Sequence, residues 1–105
     1  MNVLPAGPAA RLERPSTQIL HDEANVRVVA FHLLPGQKVP PHRNNSTVLV
    51  SVLEGDGLFH GGETVTTLRA GDMAVFAPGE THAIDAVDSL LRFVAVITPR
   101  PGDHR

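Results

Sequence analysis

Residues 36–57, GQKVPPHRNNSTVLVSVLEGDG, and residues 71–82, GDMAVFAPGETH, decide how this chain folds. The first stretch holds a β-branched run, Thr47 to Leu53, which leads into Gly55-Asp56-Gly57, read as a hairpin turn with no helix start after it and hence no phosphate cradle. The second begins at the turn Ala70-Gly71-Asp72, continues through an apolar strand, Met73 to Phe76, and stops at Pro78-Gly79. Working outward, Val26 to Leu34 is dense in Val, Phe and Leu and ends at Pro35-Gly36, as a buried strand closed by a turn would. Leu58 to His60 and Thr64 to Leu68 flank Gly61-Gly62, a hairpin signal, because glycine accepts the positive φ angles of tight turns. The final apolar run, Leu90 to Ile97, is closed by Pro99. From Thr81 onward Ile84, Val87, Leu91 and Val94 also recur at helical spacing, so a C-terminal amphipathic helix competes with two strands joined at Asp88-Ser89. The β-branched density of Phe93 to Ile97 favours the strands. Short strands separated by turns predict an all-β sandwich or small barrel with little or no helix.

Composition agrees. The 105 residues, 42% apolar and 19% charged, suit one domain, and nine Gly beside nine Pro break the chain into short pieces. A chain of this size buries about 65% of its unfolded surface, enough for a core without staples. Residues 1–15 read as an N-terminal arm, 16–98 as the barrel domain and 99–105 as a tail. The absence of cysteine excludes disulfides, thiolate metal sites and a cysteine nucleophile, which leaves six histidines and the oxygen ligands. A net charge of -2, no basic block, no Trp or Tyr and four Phe argue against nucleic-acid binding. No signal-peptide pattern and no apolar stretch near the roughly eighteen residues of a membrane span are present, so a cytoplasmic location is expected.

Gly36, His42 and Gly55 in the first stretch, and Gly71, Gly79 and His82 in the second, resemble the two motifs of the cupin superfamily, with a likeness that covers about residues 26 to 97. The resemblance implies an antiparallel jelly-roll barrel whose interior holds a divalent metal such as Fe, Mn, Ni or Zn. In the family the ligands are a His-x-His pair, a glutamate and a histidine of the second motif. Residues two apart on a strand share a face, which lets a His-x-His pair offer two imidazoles to one ion. Here the resemblance places ligands at His42 and His82, with Asn44 at the second histidine position offering an amide oxygen suited to hard cations. Val48 stands at the glutamate position, Ala77 where proline is usual and Ala86 where asparagine is common, so the site is incomplete relative to the family pattern. Small single-barrel cupins are often homodimers, and Ser16 to Leu20 is a candidate strand for a partner's sheet.

The remaining candidates have plainer readings. His60, beside a glycine turn, reads as a solvated turn residue; His32 reads as a wall histidine and the first candidate for a replacement ligand. His21 and His104 receive no role, and Glu80 and Asp85 read as surface acids. Ser46, Thr47 and Ser51 lack any evident catalytic partner, so no catalytic residue is assigned. Three functions compete. The first is a metal-dependent enzyme, dioxygenase-like or isomerase-like, acting on a small organic substrate. The second is a non-catalytic binding or sensory module with an apolar interior of Val48, Val50, Val52, Phe59 and Phe76. The third is a structural role in which strand edges or an apolar face pair with a second copy.

Overall fold

The computed structural model describes residues 1–101. It contains β1 (Ser16–Glu23), β2 (Val26–Leu33), β3 (Lys38–His42), β4 (Thr47–Gly61), β5 (Thr64–Arg69), β6 (Met73–Phe76), β7 (His82–Asp85) and β8 (Leu91–Thr98). No helix occurs among the described residues, so the segment from Thr81 is two strands with a bend at Asp88-Ser89. Strand order along one curled antiparallel sheet is β1-β2-β8-β4-β7-β3, with β5 and β6 each paired to β4. The N-terminal half of β4 lies between β8 and β6, and its C-terminal half between β7 and β5. The barrel therefore consists of two sheets, β1-β2-β8-β4-β6 and β3-β7-β4-β5, that share one long strand.

Gly55-Asp56-Gly57 is accordingly not a hairpin turn, as the sequence suggests, but lies inside the 15-residue β4. These glycines mark the place where the strand passes from one sheet to the other. Gly55 has φ +77°, and a Cβ there would collide with the Leu90 carbonyl oxygen; at Gly57 a Cβ would lie 2.7 Å from Leu91 Cδ2. Close backbone approach, rather than chain reversal, requires glycine. Just before it a bulge falls between Val52 and Glu54, opposite Phe93 and Arg92. Leu53 is the extra residue and stands about half exposed. One added residue inverts the two-residue alternation: Val48, Val50 and Val52 face inward before the bulge, and Gly57 and Phe59 after it.

One further departure has a local cause. Lys38–His42 forms a strand despite Pro40 and Pro41, where the sequence predicts none; the ladder to β7 is irregular between Val39 and His42 and tolerates residues without an N–H. Ser16 to Leu20 belongs to β1, which pairs on one side with β2 of the same chain and forms an edge of the sheet. The N-terminal arm is tied to the barrel by hydrogen bonds. The Arg92 guanidinium donates to the Ala6 carbonyl at 2.8 Å, and Gln37 Nε2 to the Arg11 carbonyl at 2.7 Å. Gly7 sits against Ala30, where a Cβ would approach the alanine side chain to 2.9 Å.

The core sits between the sheets. Phe93, 1% exposed, stacks on Phe31 with centroids 4.6 Å apart and meets Phe59 edge-on at 5.5 Å, tying β8 to both β2 and β4. Such aromatic pairs add about 0.5–1.5 kcal/mol beyond their burial. Two glycines with similar φ separate strain from crowding. Gly36, at φ +87°, has no atom within 4 Å of the place a Cβ would take, whereas Gly55 meets the Leu90 backbone. Urea denaturation should show Gly36→Ala losing about 1 kcal/mol and Gly55→Ala at least twice that; equal losses would show that the Leu90 approach does not constrain β4.

Candidate functional site at the His42–His82 pair

His42 ends β3 and His82 begins β7, and the two are direct cross-strand partners. Their ring centroids are 4.1 Å apart with planes at 71°, and His82 also lies over Phe76 at 4.8 Å. His82 is 5% exposed, while His42 is open to solvent. Each ring is held by its own strand: Nδ1 of His42 lies 3.1 Å from the Pro40 carbonyl oxygen, and Nδ1 of His82 lies 3.2 Å from that of Glu80. A carbonyl oxygen only accepts, so Nδ1 carries the hydrogen in both rings and Nε2 is left with the lone pair of the neutral form.

Both histidines line an interior cavity of about 40 Å³ whose other walls include Phe31, Val48, Phe76 and Phe93. That is room for a water or the tip of a ligand, far below the roughly 300–1,000 Å³ of pockets that enclose drug-sized molecules. Asn44 also lines the cavity. Its Oδ1 accepts the Ser46 N–H at 3.0 Å in an Asx turn, and its carbonyl accepts the Gly79 N–H at 2.7 Å, which joins the two motif loops.

The metal implied by the resemblance must be judged on these donors. Val48, at the glutamate position, is 4% exposed in the apolar core, and Ala86 is 1% exposed. Among the described residues no group of three or more His, Asp or Glu side chains converges. Two neutral imidazoles and one amide oxygen engaged elsewhere do not fit a resident divalent ion, since catalytic sites ordinarily supply three protein ligands and some negative charge.

The other candidates are displaced from this centre. His32, the replacement ligand suggested by sequence, is on the outer face of β2 with Nδ1 3.2 Å from the Pro8 carbonyl of the arm, because Phe31 takes the inward position. Glu80 is a turn residue whose Oε1 accepts the Ala77 N–H at 3.0 Å. His60 and Asp85 are not isolated surface groups: His60 Nε2 and Asp85 Oδ2 form a half-buried pair at 3.0 Å. The signal for it is parity, because each neighbours an inward residue, Phe59 or Ile84, and these two are cross-strand partners. His21 pairs with Glu23 at 3.0 Å on β1, and His104 lies outside the described residues.

Burial, with the nearby His42, pushes the His82 pKa below the ordinary histidine value, against weaker raising effects of the Glu80 carbonyl and carboxylate. A histidine whose folded pKa is depressed binds a proton more readily in the unfolded chain, so its contribution is intact above about pH 6.5 and is lost as pH falls below that value. Thermal melts should therefore show stability declining from pH 7.5 to pH 5, with a shallower decline in His82→Gln; an unchanged slope in the variant would show that His82 is not the group responsible.

The family comparison agrees with this geometry. The sequence profile of the cupin domain matches residues 29–97. An oxalate-binding protein of Thermotoga maritima is 30% identical over 84 residues, covering 78% of this chain and 69% of the relative. Among solved structures, an RmlC-like cupin protein of Desulfovibrio desulfuricans superposes with TM-score 0.81 and 26% identity over 94% of this chain and 95% of the other. A predicted oxalate decarboxylase of Thermotoga maritima superposes with TM-score 0.76 and 25% identity over 81% of this chain and 80% of the other. With its motif turns, its shared-strand barrel and its cross-strand histidine pair, this chain belongs to the cupin family.

Proposed function

We propose that this protein is a small-molecule-binding cupin that takes a small carboxylic acid at the mouth of its interior cavity, gripped by His42 and His82. The observation that carries this reading is the pair of imidazoles 4.1 Å apart, each with Nδ1 committed to a backbone carbonyl and Nε2 free for a ligand. A carbonyl-anchored ring donates through Nε2 only when protonated, so a carboxylate binds together with a proton. The exposed ring, His42, holds that proton against the carboxylate, while buried His82 forms the inner wall of the mouth. The oxalate-binding relative supports the choice of ligand class. The metal-dependent enzyme is the weaker reading, because Val48 at the glutamate position and Asn44 at the second histidine position leave the donor set short of a charge and a ligand.

A homodimer belongs with the same reading. Val28, Val96, Leu49 and Val75 form one cross-strand row on the outside of the larger sheet, and Val75 and Met73 are 60% and 59% exposed. The solvated face of an antiparallel sheet is ordinarily polar, and a second copy offers a matching uncharged surface across a two-fold axis. Sedimentation velocity should show a dimer at micromolar concentration that dissociates in Val75→Lys; a wild-type monomer would remove this part of the proposal.

The ligand is tested by calorimetric titration of chelator-treated protein with oxalate. Binding should strengthen as pH falls from 7.5 to 6, take up protons as shown by the dependence of the heat on buffer ionisation, and weaken at least about tenfold, or 1.4 kcal/mol, in His42→Ala. No saturable heat would overturn the proposal. Binding that requires added Mn²⁺ or Zn²⁺ would replace it with a site completed by a metal and its ligand together.

A further inference from the structure

The outer side of the smaller sheet carries a second polar cluster. Phe59 and Ile84 are buried cross-strand partners, so their neighbours His60 on β4 and Ala83 and Asp85 on β7 face outward. On the other flank of β7, Lys38 of β3 is paired directly opposite Asp85. Between these rows β3 bulges: Val39 pairs with Ile84 and His42 with His82, so Pro40 and Pro41 together span the stretch where β7 presents only Ala83. Prolines have no N–H with which to close the ladder. The result is an open groove of about 440 Å³ against about 40 Å³ for the interior cavity, with Ala83 small enough to leave it unfilled.

The groove holds charges of both signs, Lys38 and Asp85. Asp85 Oδ2 accepts from His60 Nε2 at 3.0 Å, which fixes the imidazole and leaves Asp85 Oδ1 and His60 Nδ1 for another partner. Lys38 is exposed and takes part in none of the ion pairs among the described residues. A simple anion placed beside Lys38 would also face Asp85, and a simple cation beside Asp85 would face Lys38. A ligand with both charges close together satisfies the pair, because each of its groups then meets an opposite one. Pro40 and Pro41 supply an apolar flank for the rest of the molecule.

We infer that this groove is a binding site for a free α-amino acid with an apolar side chain. Its carboxylate meets the Lys38 ammonium, its ammonium donates to Asp85 Oδ1 beside His60, and its side chain lies along Pro40 and Pro41. Thr81, at one end of the groove, adds a hydroxyl. This groove adjoins the interior site, with Val39 and His82 in the lining of both, but the inference does not rest on the carboxylic-acid reading.

The probe is L-leucine, titrated into isotopically labelled protein and followed by NMR, with 4-methylpentanoate and isopentylamine as analogues that each keep one of its two charges. Saturable shifts at His60, Thr81 and Ala83 with about millimolar affinity are expected, and at least about tenfold weaker binding of either analogue. Lys38→Met, an exposed change that leaves the His60–Asp85 pair intact, should lose leucine binding; Asp85→Asn should lose it as well. No saturable shift with leucine would overturn the inference and leave the three side chains as a cross-strand clamp. Equal binding of leucine and 4-methylpentanoate, or undiminished binding in Lys38→Met, would overturn it too, because the paired charges would then select nothing.

Discussion

The barrel depends on β4 passing unbroken from one sheet into the other. Four strands pair with it, β8 and β6 along its first half and β7 and β5 along its second. Continuity of this kind has a geometric requirement, since a strand that crosses a barrel corner must keep its apolar side chains on the concave face of both sheets. The bulge at Leu53 meets it by shifting the alternation one residue, and Gly55 and Gly57 let the Leu90–Leu91 backbone and side chain come against the corner. Without that shift Phe59 would point away from Phe93, and the aromatic contact that ties three strands together would be lost.

The functional end of the barrel inherits its geometry from the same frame. Because β7 lies between β3 and β4, the register that brings Ile84 against Phe59 also brings His82 against His42. Burial and the nearby His42 lower the His82 pKa, and the backbone carbonyls of Pro40 and Glu80 select the tautomer of each ring. What departs from the family pattern is charge. Val48 is packed among Val50, Phe76 and Phe93, so the place that a glutamate would occupy has become part of the hydrophobic wall, and desolvation there would oppose any ion left without a carboxylate.

Much of this is readable in the linear chain. Pro35-Gly36, Gly71 and Pro78-Gly79 lie in the connections between strands, and Gly36, Gly71 and Gly79 have the positive φ that makes glycine informative. The β4–β5 hairpin turns one residue later than Gly61-Gly62 suggests: Gly62-Glu63 is the two-residue turn, with positive φ at Gly62 only, the sign pattern of a type II′ turn. The same residue types mislead at Gly55-Asp56-Gly57, where glycine is required by a neighbouring strand distant in sequence. Pro40-Pro41 misleads in the opposite direction, because proline argues against a strand unless a bulge relieves its missing donor.

Local conformational demands, two-residue alternation and motif spacing belong to short segments, so the all-β class, most turns and the two histidines followed from the sequence alone. Register between strands far apart in the chain belongs to no segment. It decided that His42 and His82 face each other, that His32 turns to the arm, that Asn44 closes a loop, and that His60, Asp85 and Lys38 meet on one outer face. Pairing register is set by the packing of all strands at once, and one bulged residue on either side of a pair changes which side chains share a surface.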